Sequence, residues 1–390
     1  MINKRSLVLG VLVLLVMLAG GYSANAQVCA VLGQLEDIAI VDQNYGGEAI
    51  KDPAIRLISP DVTDDEQFNL SILDTFGRHL ALKSQGAARN VLLVHLVGTF
   101  DCPDNSQLYA IEAAKAGYDV ISVAYPNPVT VGAICGQFVE DSPCYYDYRF
   151  ETVTGQNVSP FALVNQNNSI NNRVAQLLGY LTRQFPNENW GRYSVANQNN
   201  FIYSGHSQGG GNAVLLGKLN SVRRIVTFAS PLDAVQQLGL LNTAAYPAVW
   251  QGDPSATAGN RYFAFIHAKD NIVDGYRGIE PTPLNPYPLP PYQRTSVLNF
   301  FDQTMRLTVH GTTSASVSQR EVLPGIAPED NPIADSIVCS SLVNKTLIYS
   351  DFGPGEGSHS AVIRDVEVPK DANNVAIYRN VWRALLNACP

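Results

Sequence analysis

The sequence predicts an α/β fold, a mostly parallel central sheet flanked by helices with loop or cap insertions, and three observations carry this reading. Short apolar runs bounded by turn residues recur along the chain, as in "NVLLVHLVGTF" and "RYFAFIHAKD", the pattern of strands buried on both faces of a parallel sheet. Stretches with apolar residues three and four apart separate several of these runs, as amphipathic helices do. Strand, helix and strand in alternation predict right-handed parallel crossovers.

The chain opens with Lys4 and Arg5 before an apolar stretch from Leu7 to Ala19, followed by Ala24-Asn25-Ala26. A basic start, an apolar middle and a small-x-small end read as a cleavable export signal over residues 1–26. The apolar stretch is shorter than the roughly 20 residues that span a bilayer, which argues against an uncleaved anchor. Ala26-Gln27-Val28 before Cys29 lacks the small residue that a lipoprotein signal places directly before its cysteine. The expected location is therefore secreted or periplasmic, with residues 27–390 forming one domain.

The run at residues 90–100 is the first strong strand. Ser106 to Ala116 has helical spacing and is stopped by Gly117, and "DVISVAYP" is a strand ended by proline. Residues 126–168 read as a less regular insertion over the sheet's edge, containing Cys135, Cys144 and the cluster Tyr145, Tyr146 and Tyr148. Ile170, Val174, Leu177, Leu178, Leu181 and Phe185 then mark an amphipathic helix that ends at Pro186. "NFIYS", "RRIVTFAS", "RYFAFIHAKD" and "KTLIYSDFG" are further strands, with a helix at "NAVLLGKLN" and a closing helix striped by Ile377, Val381, Trp382 and Leu385. A second insertion is expected near residues 275–340, where six prolines between Pro281 and Pro291 impose a rigid, non-helical path. The aromatic cluster and this proline-rich stretch read equally well as a roof over an apolar pocket or as surface decoration.

Composition narrows the function. Removing a leader that holds two basic and no acidic residues takes the net charge from -8 to -10, which argues against a nucleic-acid or anionic-membrane partner, both of which need a basic face. No later run is long and apolar enough to span a membrane. All six cysteines lie beyond the leader, and an even number in an exported chain points to disulfides; Cys135 with Cys144 is the pair expected, closing a short loop. No Cys-x-x-Cys or His-x-x-x-His spacing occurs, so a structural or catalytic zinc has little support. Oligomeric state is left open.

The chemistry centres on "FIYSGHSQGGG". A Gly-x-Ser-x-Gly pattern carries weight only where a strand precedes it and a helix follows, and here both are predicted. The turn then presents Ser207 as a nucleophile, with Gly205 and Gly209 small where neighbouring backbone passes close. A hydroxyl needs a histidine to take its proton and an acid to orient that histidine, in the chain order Ser, acid, His. Asp270, just beyond a strand in "HAKDNIV", is the leading acid, with Asp274, Asp233 and Asp302 as alternatives. His359, in "GPGEGSHSAV" between the last strand and the closing helix, is the leading base, with His310 as its rival. Negative charge on the tetrahedral intermediate calls for fixed N–H donors: Gln208, after the nucleophile, and one of Gly98, Thr99 or Phe100 in the loop after "VLLVHLV".

These segments, "LLVHLVGTF", "GYDVISVAYPN", "SINNRVAQLLGYL", "GHSQGGG" and "GSHS", together resemble the α/β-hydrolase superfamily, among its secreted lipase- and esterase-like members, from about residue 90 to the C-terminus. The loop departs from the His-Gly-Gly-Gly sequence of many lipases, since Leu96 and Val97 separate His95 from Gly98. The resemblance implies a Ser207-Asp270-His359 triad and no cofactor, but no particular substrate, because the fold hosts many; the leading reading of the site itself is hydrolysis of a small-molecule or lipid-like ester through an acyl-enzyme. A peptidase or acyltransferase on the same fold, or a binding protein with a disused triad, are the alternatives.

Overall fold

The computed structural model describes residues 55–58, 77–136, 143–235, 246–270, 272–273, 294–322, 339–352 and 359–389. The leader, Cys29, Asp274 and the proline-rich stretch 281–291 lie outside the described residues. Nine strands form one sheet: β1 (Arg56–Ile58), β2 (His79–Leu82), β3 (Leu92–Leu96), β4 (Asp119–Val123), β5 (Phe201–His206), β6 (Arg224–Phe228), β9 (Tyr262–His267), β10 (Gln319–Glu321) and β11 (Leu347–Ser350). A separate two-stranded ribbon pairs β7 (Ala234–Val235) with β8 (Tyr246–Pro247). The order across the large sheet is β1-β2-β4-β3-β5-β6-β9-β11-β10. From β4 to β10 every pairing is parallel, and β2 joins β4 antiparallel. The sheet is thus mostly parallel and flanked by helices, the α/β class that the sequence predicts.

Seven α-helices are described: α1 (Gln107–Lys115), α2 (Val131–Cys135), α3 (Cys144–Thr154), α4 (Ile170–Gln184), α5 (Gln208–Leu219), α6 (Arg294–His310) and α7 (Arg379–Leu385). The apolar run of β3 is buried on both faces because alternate residues serve opposite layers. Leu92, Val94 and Leu96 belong to the same buried core as Val153 of α3, Leu177 of α4, Leu215 of α5 and Phe301 of α6. Leu93 belongs to a second core, with Tyr109 and Ala113 of α1 and Trp382 and Leu385 of α7. The α4 stripe ends before Pro186, and Ser169 caps its start by accepting the Asn172 N–H. No helix among the described residues is long and apolar enough to cross a membrane.

The stretch from residue 126 to 168 is more regular than its sequence suggests. It contains α2 and α3, and α3 packs against α5 on one face of the sheet rather than over its edge. Tyr145 and Tyr148 are buried in the core. Aromatic and charged residues alternate here without a clean apolar stripe, because α3 is covered from several sides, and the 3.6-residue signal is lost. The antiparallel edge formed by β1 and β2 also has no counterpart in the sequence reading, being only three and four residues long.

Two disulfides lie within the described residues. Cys135–Cys144 bridges the end of α2 to the start of α3, the pair expected from spacing. Cys339–Cys389 joins the turn before β11 to the segment after α7 across 50 residues. Closing a loop of that size stabilises by about 4 kcal/mol through the entropy removed from the unfolded chain. The double substitution Cys339→Ser with Cys389→Ser is therefore expected to lower the melting temperature by roughly 5 °C. Calorimetry of both proteins under non-reducing conditions checks this; equal melting temperatures would refute it.

Candidate active site

The strands β3, β5, β6, β9 and β11 run parallel, so the loops leaving their C-terminal ends share one edge of the sheet, where sites on open α/β sheets form. Ser207 stands between the last residue of β5 and the first of α5, with φ 51° and ψ -120°. A non-glycine residue in this region is strained and persists only where its surroundings hold it. Its N–H donates to the Phe228 carbonyl of β6 at 2.9 Å, and its carbonyl accepts from Gly210 N–H at 3.0 Å. A Cβ on Gly205 would overlap the Gly209 backbone, and one on Gly209 would overlap the carbonyls of Leu96 and Val97. Close approach of neighbouring backbone leaves no room for a side chain at either glycine. The first turn of α5 begins at Ser207, so the partial positive charge of the helix N-terminus gathers there.

The loop after β3 lies against this turn: a Cβ added to Gly98 would sit 3.2 Å from the Cβ of Ser207. Gln208 joins the two segments through its buried side chain. Its Oε1 accepts from the Thr99 hydroxyl at 2.8 Å and from Val131 N–H at 3.2 Å. Phe100 has φ 57°, and its N–H donates to the Asn127 carbonyl at 3.2 Å. Of the three candidate second donors, Phe100 thus has its amide committed to the loop's own structure, which favours Gly98 and Thr99. Asn127, absent from the sequence reading, buttresses the loop by donating from Nδ2 to the carbonyls of Gly98 at 2.6 Å and Asp101 at 3.2 Å. Its place between Pro126 and Pro128, in the loop that leaves β4, was the available signal.

Asp270 follows β9 and is fully buried, while His359 follows β11 and is 7% exposed. The two loops meet because β9 and β11 are parallel neighbours. His359 Nδ1 lies 2.7 Å from Asp270 Oδ2. The other carboxylate oxygen, Oδ1, accepts the N–H groups of Ile272 at 3.0 Å and Val273 at 3.1 Å. The carboxylate is thereby fixed in rotation, and a carboxylate on Nδ1 leaves the opposite ring nitrogen to serve as base.

His206 links this pair to the elbow. Its ring centroid lies 5.0 Å from that of His359, and its Nε2 donates to the His359 carbonyl at 3.3 Å. Its Nδ1 is 3.8 Å from Asp101 Oδ2. Burial lowers the His206 pKa, against the opposing pull of Asp101. Burial would raise the Asp101 carboxyl, but His206 and the Arg364 guanidinium outweigh it and hold the carboxyl below its usual range.

The rival residues are engaged elsewhere. Asp233 forms a buried ion pair with Arg149. Asp302 pairs with Arg306 one turn along α6 at 2.6 Å. His310 ends α6, exposed, with Nε2 donating to the Ser316 carbonyl at 3.2 Å. His95 is a core residue on β3, its Nδ1 2.9 Å from the Ser204 hydroxyl. Among the described residues no group of three or more His, Cys, Asp or Glu is arranged to hold a metal ion.

No family model matches the chain, and no curated protein does. Among solved structures it is similar to an S-formylglutathione hydrolase from Agrobacterium tumefaciens, at 14% identity and a TM-score of 0.24, over 39% of this chain and 52% of that one. It is also similar to an acetyl xylan esterase from Aspergillus awamori, at 12% identity and a TM-score of 0.30, over 67% and 82% of the two chains. An aminopeptidase from the marine sediment archaeon Thaumarchaeota archaeon matches at 12% identity and a TM-score of 0.23, over 40% and 23%. The matched part spans about half of the S-formylglutathione hydrolase and under a quarter of the aminopeptidase.

Proposed function

We propose that the protein is an exported serine hydrolase that cleaves carboxylic esters through an acyl-enzyme. The observation that carries this reading is the buried Asp270–His359 contact at 2.7 Å, on the same sheet edge as a strained Ser207 at a helix N-terminus. Ser207 Oγ attacks the ester carbonyl carbon as its proton passes to His359 Nε2, and the carbonyl oxygen becomes an oxyanion. The backbone N–H of Gln208 and one from Gly98 or Thr99 hold that oxyanion. Collapse breaks the bond to the leaving alkoxide, which takes the proton from His359 and departs as alcohol. Water then gives a proton to His359 and attacks the acyl group; the second tetrahedral species expels Ser207 Oγ, which recovers the proton as the carboxylic acid leaves. Asp270 orients the imidazole throughout.

Export is supported by the leader-like start of the sequence and by two disulfides, which persist in oxidising compartments. The test is a panel of p-nitrophenyl esters of increasing acyl length run beside peptide anilides. The expected result is turnover of the esters with the anilides at least about 100-fold slower in kcat/KM, a gap of about 2.7 kcal/mol in activation free energy. Faster turnover of the anilides would replace the esterase reading with a peptidase.

A further inference from the structure

Beneath the elbow lies a charged cluster that the triad chemistry does not use. Arg149, on α3, is 1% exposed. Its Nε donates to Asp233 Oδ2 at 2.6 Å, and its Nη2 donates to Asp233 Oδ1. The third nitrogen, Nη1, reaches into the first turn of α5, donating to the Gln208 carbonyl at 2.8 Å and to Asn212 Oδ1 at 3.0 Å. Asp233 is held from the far side: its Oδ2 accepts from Trp250 Nε1 at 2.9 Å, and its carbonyl accepts from Gln251 Nε2 at 2.7 Å and from Ala248 N–H at 2.8 Å. The last glycine of "GHSQGGG" belongs to this arrangement, because a Cβ on Gly211 would overlap the Arg149 guanidinium.

A buried ion pair is seldom retained for stability alone, since desolvating both charges offsets most of their attraction. This one grips a specific peptide. Gln208 supplies the oxyanion N–H in the mechanism proposed above, its carbonyl accepts from Arg149, and its side chain is tied to Thr99 and Val131. Its carbonyl lies in the Gln208–Gly209 peptide and its N–H in the Ser207–Gln208 peptide, so these two anchors hold the Gln208 Cα at which the N–H-bearing peptide is attached.

Building on the esterase reading above, we propose that Arg149 is a positioning residue for the oxyanion site: it orients the Gln208 amide, with Asp233 as its anchor. It touches no reacting atom and acts through the first turn of α5. Lysine cannot take its place, because a single ammonium lacks the planar fork that spans Asp233, Gln208 and Asn212 together.

The experiment compares wild type, Arg149→Lys, and the charge-neutral pair Arg149→Met with Asp233→Asn, which keeps an acceptor for Trp250. Each is checked for a cooperative thermal transition and assayed on one p-nitrophenyl ester and on an alkyl boronic acid, which forms a tetrahedral adduct on a nucleophilic serine. Both variants are expected to lose about 10- to 100-fold in kcat with KM within about twofold, the cost of a slight misplacement of a group at the reacting centre. Boronate affinity should fall by a similar factor. Wild-type kcat in either folded variant, or a raised KM with kcat unchanged, would overturn the proposal. If wild type itself neither turns over esters nor binds the boronate, the underlying esterase reading fails instead.

Discussion

Ser207→Ala is expected to reduce kcat on a p-nitrophenyl ester by about 10⁴- to 10⁶-fold, the loss that follows removal of a nucleophile acting as a unit with its base. It should also abolish covalent labelling by a fluorophosphonate. The effect is separable from folding. Ser207 is held by its backbone, through its N–H to Phe228 and its carbonyl to Gly210, and alanine meets the same φ of 51° at a similar steric cost. The variant should therefore melt within a few degrees of wild type. Labelling that persists in Ser207→Ala, or fails in folded wild type, would remove the serine-hydrolase reading.

The second large effect concerns acid. His79 and His95 are buried, and burial first, then Arg173 beside His79 and His206 beside His95, depresses each pKa to about 3. Each ring is held neutral by its contacts: His79 Nδ1 accepts the Ala124 N–H at 3.0 Å, and His95 Nδ1 lies 2.9 Å from Ser204 Oγ. In the unfolded chain a histidine titrates near ~6.5. Between that value and about 3 the unfolded state binds more protons than the folded one, so stability falls as pH falls through this window and is fully present above it. Each histidine contributes about 1.4 kcal/mol per pH unit across the window. By pH 4 the two together remove several kcal/mol, a large share of the roughly 5–15 kcal/mol typical of a folded protein. Burial also lowers His206 and His267, which adds to the same slope. Urea unfolding between pH 7.5 and 4 should show a steadily falling stability. In His79→Asn with His95→Asn the slope should be shallower by about 2.7 kcal/mol per pH unit in mid-window. An unchanged slope in the double variant would contradict this assignment.

Much of the fold was legible because the strands of a parallel sheet are buried on both faces and so appear as continuous apolar runs. β3, β4, β5, β6, β9 and β11 all carry that signature. The helices α1, α4 and α7 were legible because each has one buried face and chemical punctuation at its end, Gly117 after α1 and Pro186 after α4. The opposite case is α3, whose buried Tyr145, Tyr148, Arg149 and Glu151 mix apolar with charged residues. Each charge there is neutralised by a distant or loop partner: Arg149 by Asp233, and Glu151 by the N–H groups of Val158, Ser159 and Val164. A pattern rule reads such a segment as surface.

The candidate site divides along the same line. By itself the sequence determined the strand-turn-helix around Ser207, the glycines at 205 and 209, and the order in which an acid and a histidine should follow, because strand, turn and helix signals are local. It left four aspartates as candidate acids and two histidines as candidate bases. Only the tertiary structure set Asp270 against His359, committed Asp233 to Arg149 and Asp302 to Arg306, and put His310 at the exposed end of α6. It also brought Arg149, 59 residues before Gln208, onto that residue's carbonyl. The physical reason is that a side chain's partner across a parallel sheet is chosen by strand order and register, and neither is written in the residues around it.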